Sequence, residues 1–435
     1  MNIGEHACTV SNLTDLDVGT IVQRQIEKGY FKEVKPVNPV KDSNVIELIV
    51  SGDGEEFMDL SRTYLKTTLK IKKAGGGDLT ADDKVSLVNY IGATLFGKVD
   101  VLLNDTQVSS STPNNAFRAM FDTLLGYDQP CAESQLQAAG FYKDTAGQMD
   151  AVDPTPDENA PTNEGLKERF ELTRGSRSVE FISRIHADIF NQGRMMVNGV
   201  RMRIKLHRNK NEFCLMAAAN SNYVLEIEDV SMIIRKCKLT DASYAQLINT
   251  PALYPITRVL MKDYSYASGI RSISMNNVTS GILPQRIVLA MVSNAALNGV
   301  VNQNPFNFQH FGLVECNVAV NGSTVNGKPL SFDFESSKDC DGYWSLFASS
   351  GKMHHNIGSV INRKDYKDGY TIIAIDLSPS LCDSEYIDPD RSGDLSIGLS
   401  FEKNLASSVT VLVYCEYNSL VEVTSGRKVI PHFQV

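Results

Sequence analysis

Seven residues, Gly92 to Lys98, come close to the pattern of a phosphate-binding loop. They read Gly-Ala-Thr-Leu-Phe-Gly-Lys. Such a loop continues with a Ser or Thr whose hydroxyl holds Mg²⁺, and a helix N-terminus lies behind it. In this chain Val99 takes the hydroxyl position, and the residues after it alternate as they do in a strand. The sequence therefore argues against a nucleotide site here.

A second candidate, the segment from Asp388 to Gly393, resembles the beginning of a calcium-binding loop. Asp388, Asp390 and Ser392 have the spacing of the first ligands. The twelfth position of such a loop supplies a bidentate Glu, but Leu399 stands there, on a predicted core face. We expect a solvated turn, with a loose surface calcium site as the alternative.

The histidines and cysteines lack the spacings that hold a metal. His354 and His355 are adjacent, so their side chains would diverge on a strand and on a helix alike. The histidines form no HxH or HExxH pattern, and no two cysteines form a CxxC pair. No GxSxG nucleophile motif occurs either. We therefore predict no catalytic, cofactor-binding or metal-binding residue, no cofactor and no enzymatic activity.

Two acids, Asp188 and Asp376, follow similar apolar residues in the two halves of the chain. One interpretation is a pair of catalytic carboxylates. We prefer a structural interpretation, in which each acid serves a turn at the end of a strand.

A basic group occupies one strand face and the turn that follows it. We interpret it as the wet face of a strand. The alternative is a patch that binds an acidic neighbour, such as another copy of this acidic protein. The group consists of Arg201, Arg203, Lys205, His207, Arg208 and Lys210.

Length, charge and cysteine usage exclude several classes of protein. The 435 residues are enough for two or three domains. The formal net charge of −9 argues against a protein that coats nucleic acid, because phosphate binding needs clustered Lys and Arg. We expect no direct sequence-specific nucleic-acid binding. The sequence has no signal segment and no apolar run of membrane-spanning length, and its eight cysteines are scattered, so we expect folding in a reducing cell interior.

The elements that must position these residues are strands, and they occur twice. Val200, Met202, Ile204 and Leu206 alternate with polar residues, and the run from Leu395 to Phe401 repeats this pattern. Alternation predicts a strand with one buried face. The two runs begin 395 − 200 = 195 residues apart, a spacing that suits a whole domain rather than a solenoid repeat.

Two further landmarks repeat in the same order. The hairpin pattern of residues 101–108 recurs at residues 318–325, where Asn321-Gly322 is a strong type I′ turn signal. A strand with the pattern Ile-x-x-Asp then follows at Ile185–Asp188 and again at Ile373–Asp376. Three landmarks in one order indicate that one β-domain occurs twice.

The segments between the strands predict a helix and a long loop. Phe117, Met120, Phe121 and Leu124 have helical spacing within residues 114–125. Residues 144–165 are acidic, contain prolines and have few large apolar side chains, so we predict a surface loop with little to bury.

Several phrases of the sequence are similar to those of one capsid-protein family. The chain resembles, from about residue 29 to residue 423, the major capsid proteins of Polinton/Maverick elements and adintoviruses. The phrases are Gly29-Tyr-Phe-Lys-Glu-Val34, Asp59-Leu-Ser-Arg-Thr-Tyr64, Val99-Asp-Val101 with Ser109-Ser-Ser-Thr112, Asp188-Ile-Phe-Asn-Gln192, Asn304-Pro-Phe-Asn-Phe308 with His310-Phe311, and Asp368-Gly-Tyr370.

The resemblance implies an all-β chain of two consecutive eight-stranded jelly-roll sandwiches, a double jelly roll, with helical and loop insertions. We assign residues 1–35 to an N-terminal arm, 36–250 to the first jelly roll and 251–435 to the second. The resemblance also implies homotrimeric, pseudo-hexagonal capsomers that tile an icosahedral shell around double-stranded DNA. The implied partners are other copies of the chain and penton or minor capsid proteins, and the implied location is the virion.

Two other functions compete with this interpretation. A glycan-binding protein with two β-sandwiches would group exposed aromatic residues in a shallow site, whereas we expect Trp344, the single Trp, to be partly buried. A cupin-like enzyme would need a metal, and the histidine spacing argues against one.

Overall fold

The computed structural model describes residues 23–41, 43–52, 54–110, 112–157, 160–381 and 388–433. Ten strands lie before residue 250, and they are β1 Ile26–Val34, β2 Val45–Val50, β3 Glu56–Lys73, β4 Val85–Leu87, β5 Phe96–Leu103, β6 Thr106–Gln107, β7 Val179–Arg184, β8 Met202–Arg208, β9 Leu215–Ala217 and β10 Tyr223–Leu239. Ten follow it, and they are β11 Ala252–Tyr266, β12 Ser272–Ile282, β13 Arg286–Ser293, β14 Leu313–Val320, β15 Ser323–Thr324, β16 Leu330–Ser331, β17 Ile372–Asp376, β18 Ser392–Phe401, β19 Val409–Val423 and β20 Val429–His432.

Helices occupy the connections between these strands. Four segments form 3₁₀ turns at Gln135–Ala139, Arg174–Ser176, Asp188–Asn191 and Val325–Gly327. The α-helices are α1 Ile91–Thr94, α2 Asn115–Gly126, α3 Gln129–Ala132, α4 Glu164–Thr173, α5 Asn211–Cys214, α6 Asp241–Leu247, α7 Asn294–Leu297, α8 Cys340–Ser349 and α9 Arg363–Lys367. None of the helices in the described ranges combines the length and the apolar character needed to cross a membrane.

The same strand order occurs in both halves of the chain. The first half has sheets ordered β1-β10-β3-β7 and β2-β8-β5-β6, with β4 and β9 as a separate pair. The second half has sheets ordered β11-β19-β13-β17 and β12-β18-β14-β15, with β20 paired to β19 and β16 paired to β14. Strand for strand, the two orders match. This is the double jelly roll with helical and loop insertions that the sequence predicts, and we call the halves the first roll and the second roll.

The repeated alternation places one face of each matching strand in the core. Val200, Met202, Ile204 and Leu206 are buried, and so are Leu395, Ile397, Leu399 and Phe401. Strands β8 and β18 occupy the same place in their sheets, each beside the strand that begins the sheet order. The prediction of a duplicated sandwich is therefore confirmed.

Both predicted hairpins have the turn geometry that their residues favour. Asn104 and Asp105 join β5 to β6 with φ of 45° and 63°, and Asn321 and Gly322 join β14 to β15 with φ of 50° and 79°. A type I′ turn requires positive φ at both central residues, and Asn, Asp and Gly tolerate it best.

Strand bounds differ from the sequence expectations in three places. The sequence predicts a strand at Ile185–Asp188, but β7 ends at Arg184 and Asp188 begins a 3₁₀ turn. Strand β12 was not predicted, because a register shift between Met275 and Thr279 interrupts its alternation. Residues 26–34 of the predicted N-terminal arm form β1 and pair with β10, while residues 1–22 of that arm lie outside the described residues.

The strand pairing is consistent with the predicted division of the chain. Each sheet in the described ranges takes its strands from one side of residue 250. We propose that the rolls comprise residues 36–250 and 251–435, the division predicted from the sequence, and we add β1 to the first sandwich because it forms the edge of that sheet.

Candidate functional site at the junction of the two rolls

Helix α2 joins the two rolls through an aromatic contact. Its sequence has helical spacing over residues 114–125, and the helix runs from Asn115 to Gly126. The Phe121 ring is fully buried; it lies 5.2 Å from the Phe308 ring and 6.0 Å from the Tyr414 ring, both in the second roll. One turn of the helix away, Phe117 lies 5.6 Å from Phe306. The apolar face of α2 therefore packs on the second roll.

The polar residues of α2 take part in buried ion pairs and hydrogen bonds at the same junction. Arg118 Nη2 lies 2.7 Å from Asp188 Oδ1, and the Val259 amide of the second roll donates to the same Oδ1 at 3.3 Å. Asp122 accepts a hydrogen bond from Tyr414 Oη at 2.9 Å and lies 2.9 Å from His186 Nδ1. We call this set the junction network, and it consists of Arg118, Asp122, His186, Asp188, Tyr414, Glu416 and Arg286.

The carboxyl groups of the junction network have opposite pKa shifts. Burial disfavours the Asp122 carboxylate, but the hydrogen bond from His186 and the charge of Arg118 outweigh burial and hold its pKa below the ordinary value. Burial dominates at Glu416 and raises its pKa, although Arg286 lies 3.2 Å away and acts in the other direction. Burial also raises the pKa of Asp188, against the opposing charge of Arg118.

Such a pair of carboxyls beside a cavity has features of an acid–base site. A cavity of about 730 Å³ adjoins the junction network, and its lining includes Asp122, Arg184 and Glu416. Opposite pKa shifts in one pocket are typical of catalytic carboxyls. Here, however, Tyr414 Oη lies 2.9 Å from an oxygen of each carboxyl, and Arg286 pairs with Glu416. The groups bind one another across the rolls, which supports a cohesive role.

The lowered pKa of Asp122 makes one prediction about stability and pH. A carboxyl group whose pKa is lowered by folding stabilises the folded state at pH values above its ordinary pKa, here 3.8. That stabilisation is lost as the pH falls through the folded-state pKa. We expect Asp122→Asn to lower the free energy of unfolding by about 1–3 kcal/mol at pH 7, because hydrogen bonds to a charged group are lost. The difference from the wild type should shrink below pH 3.8.

Urea unfolding between pH 3 and pH 7 measures this effect. Glu164→Gln serves as the control, since its side chain is 64% exposed and lies 3.8 Å from Lys167. A destabilisation by Asp122→Asn that has the same size at every pH would contradict the assigned role of the Asp122 charge.

A second buried network joins the rolls through the predicted loop. Arg169 Nη2 lies 2.6 Å from Asp144 Oδ1, and both side chains are almost fully buried. Asn163 donates to Oδ1 of Asp144 at 2.9 Å, and Asn304 of the second roll donates to Oδ2 at 2.9 Å. Tyr370 Oη donates to the Asp144 carbonyl at 2.7 Å. The prediction that residues 144–165 have little to bury is therefore wrong at both ends of the segment, because its polar side chains are buried with partners.

The near-match to a phosphate-binding loop lies in the core. Helix α1 is buried, and β5 begins at Phe96, after the single residue Leu95. A Cβ on Gly92 would lie 3.0 Å from the Ala139 carbonyl, and one on Gly97 would meet the Asn209 side chain. These glycines permit close packing within the fold, and the segment forms no loop that could surround a phosphate.

The other sequence candidates each have their own hydrogen-bond or ion-pair partner. Asp376 Oδ1 accepts hydrogen bonds from the Ser378 amide and hydroxyl, as expected for a strand-end turn. Asp188 is instead an ion-pair partner of Arg118. The prediction that both acids serve a turn at the end of a strand is therefore wrong for Asp188. Asp388 accepts from Ser380, and the described residues contain no group of three or more His, Cys, Asp or Glu suited to a metal.

The basic strand is neutralised within its own sheet. Arg203 pairs with Glu47 of β2 at 3.2 Å, and His207 Nε2 lies 2.9 Å from Asp100 of β5. Arg201 pairs with Asp105 of the adjoining hairpin. Glu47 and Asp100 are both paired with Lys205, and residues two apart on a strand share its face, so the two acids lie on the face that carries Arg203 and His207. The wet-face interpretation fits this arrangement better than a patch for an acidic partner.

Trp344 differs from its prediction. It is 52% exposed on α8, whereas its neighbour Tyr343 packs edge-on against Phe347 and Tyr366. Exposed His354 makes an edge contact with Trp344 at 6.2 Å, and His355 is exposed beside it. Apart from Asp188, the buried polar residues of the junction had only one sequence signal, the i, i+4 spacing of Arg118 and Asp122, which typically marks neighbours on a helix.

Comparison with known proteins identifies a distant relative and a shared fold. No protein-family model matches the chain. An uncharacterized protein of Caenorhabditis elegans, F54H12.2, is 24% identical over 426 residues, which cover 94% of this chain and 98% of that protein.

Several solved structures share the fold over nearly the whole chain. A chain in a structure of the Sputnik virophage has a TM-score of 0.64 at 10% identity, covering 96% of this chain and 91% of that one. A chain of the PBCV-1 virus capsid has a TM-score of 0.58 at 9% identity, covering 96% and 100%. The mavirus major capsid protein has a TM-score of 0.53 at 12% identity, covering 97% and 93%. At these identities the likeness establishes the double jelly-roll fold.

Proposed function

We propose that this chain is a major capsid protein of the Polinton/Maverick and adintovirus type. Three copies form a capsomer with a six-sided outline, and capsomers tile an icosahedral shell around a double-stranded DNA genome. The observation that carries the proposal is the repeated strand order of the two rolls. Three copies with two similar sandwiches each provide six similar sides, which suits a hexagonal lattice and closed cyclic symmetry.

The junction supports a structural role. The two rolls are held together by buried aromatic contacts and two polar networks, which make the chain one rigid building unit. Similarity of fold to the mavirus major capsid protein supports the same role. We infer that the protein works through repeated contacts between copies and has no catalytic residue, cofactor or resident metal.

The partners and location follow from this role. Other copies of the chain are the main partner, and penton and minor capsid proteins complete the shell. The mature location is the virion. The net charge of −9 supports a shell that does not itself condense the genome, because phosphate neutralisation needs an excess of cations.

The test is the oligomeric state of the purified full chain. We expect size-exclusion chromatography with light scattering to give a mass of three chains, and electron microscopy of concentrated protein to reveal hexagonal plates or shells. A glycan-binding protein would instead elute as a monomer and be retained on a glycan array. A chain that stays monomeric across the micromolar range would contradict the proposal.

A further inference from the structure

The outer face of the first sheet in the second roll is covered by the first roll. We call it the covered face, and it includes Val259 on β11, Tyr414 on β19 and Val288 on β13, all at most 4% exposed. Register pairs Val259 with Glu416 and Tyr414 with Val288, so their side chains share one face. The residues that cover it come from α2, through Phe121 and Asp122.

The matching face of the first roll is exposed. Strands β1, β3 and β7 have the same positions in their sheet as β11, β13 and β17, yet they carry Phe31, Tyr64 and Ile182 at 57%, 37% and 43% exposed. We call this the open face. Its opposite side is the core of the first roll, where Leu65 and Phe181 are buried. A sheet face with such apolar residues is typical of an interaction site.

Register places these apolar residues in adjoining rows. Tyr64 pairs with Ile233 on one side and Arg184 on the other, and Ile182 pairs with Lys66 in the next row. Phe31 lies opposite Arg235, two residues from Ile233 along β10. Paired residues share a face, and residues two apart on a strand return to it, so the open face is one surface.

The open face is continuous with the junction between the rolls. Ile182 and Arg184 lie on β7, and the chain after β7 reaches the second roll, where Asp188 accepts from the Val259 amide. Arg184 also lines the junction cavity. The first roll therefore contacts the second roll with the β7 side of its sandwich and leaves its own sheet face free.

The second roll has an element in the position of α2 that is free to cover such a face. Helix α2 lies between the sixth and seventh strands of the first roll, and α8 lies between β16 and β17 of the second. Trp344 on α8 is 52% exposed. Large, rigid aromatic residues are the commonest energetic anchors of protein interfaces.

We propose that the open face binds the second roll of another copy of this chain, through Trp344. The contact repeats between chains the arrangement that α2 and the covered face make within one chain. The contact joins two different surfaces, so successive chains bind head to tail. The chains form a closed ring when the rotation between neighbouring chains permits it. This inference rests on the proposed capsomer and specifies which surfaces form it.

Two variants, each with a defect in one surface, test the contact. Tyr64→Glu with Ile182→Glu disables the open face, and Trp344→Glu disables the opposing surface. We expect each variant to elute as a monomer at a concentration where the wild type is trimeric, with self-association weakened about 30-fold or more, the effect of losing a hot-spot residue. Val300→Glu is the control, because Val300 is 40% exposed and lies outside both surfaces.

Mixing the two variants distinguishes head-to-tail binding from a symmetric contact and from misfolding. Each variant keeps the surface that the other has lost, so the mixture should form one-to-one heterodimers and nothing larger. Circular dichroism and thermal unfolding check that both variants fold. If one does not, Tyr64→Cys in an otherwise wild-type chain should crosslink through a bifunctional maleimide to the exposed Cys340 of α8, as judged by mapped peptides.

The outcomes distinguish this inference from the proposed function. Variants that remain trimeric, or a Tyr64→Cys chain that forms trimers without the Cys340 crosslink, would overturn the assigned surfaces and leave the capsomer intact. Monomeric variants that do not combine on mixing would also overturn head-to-tail binding. A wild-type chain that is itself monomeric would refute the capsomer and this inference together.

Discussion

Replacing Asp144 with Ala is expected to lower the free energy of unfolding by about 3–5 kcal/mol, because it leaves a buried guanidinium without its counter-charge. Arg169 is 1% exposed and has Asp144 as its acidic partner at 2.6 Å. Its other hydrogen bonds, to the carbonyls of Leu87 and Tyr142, supply no negative charge. Asn163 and Asn304 would also lose an acceptor.

The consequence should extend to the contact between the rolls. Asn304 belongs to the second roll, and the Asp144 side chain is one of its links to the first, together with the Met149 carbonyl and the Asp150 carboxylate. We therefore expect faster hydrogen exchange around residue 304 as well as a lower urea midpoint at pH 7. Glu171→Ala is the control, since its ion pair with Arg174 is about half exposed and 3.7 Å long, and such pairs contribute at most about 1 kcal/mol. Equal effects of the two substitutions would contradict the importance of the Asp144–Arg169 pair.

Replacing Phe121 with Ala is expected to cost about 3–5 kcal/mol, since it removes a fully buried ring and leaves a cavity between the rolls. Phe121 contacts the Phe308 and Tyr414 rings of the second roll. The substitution therefore removes packing that stabilises the junction between the rolls. The measurement is equilibrium unfolding by urea, followed by circular dichroism.

The matched control removes the same side chain from an exposed position. Phe31 is 57% exposed in the single chain, so Phe31→Ala should change the unfolding free energy of dissociated monomers by less than about 1 kcal/mol. A small effect at Phe121, comparable with that at Phe31, would mean that the rolls are held together elsewhere.

Local patterns of the sequence predict most of the sandwich. Alternation in residues 200–206 and 395–401 correctly identifies buried faces, because strand periodicity is a property of neighbouring residues. The Asn-Asp and Asn-Gly turns are likewise predictable, because these residue types tolerate positive φ. Strand β12 was missed since its bulge near Asn277 disrupts the alternation by which a strand is recognised.

The environment of individual polar and aromatic residues was much harder to predict. The acids that neutralise Arg203 and His207 lie on other strands, and their proximity depends on strand register. Trp344 lies in an aromatic run, which favours burial, but one helix can pack Tyr343 against the core and expose its neighbour because adjacent residues point in different directions. The prediction for residues 144–165 was wrong because it rested on the average composition of the segment. Two or three buried polar side chains hardly change that average.

By itself the sequence determined that one β-domain occurs twice, which strands have a buried face, and where the tight turns lie, since all of these depend on residues close together in the chain. Tertiary structure alone decided which residues join the two rolls. Asp144 and Asn304 are 160 residues apart, and Asp122 and Tyr414 are 292 apart. No local periodicity connects such partners; they meet because two sandwiches pack together and buried polar groups must find partners.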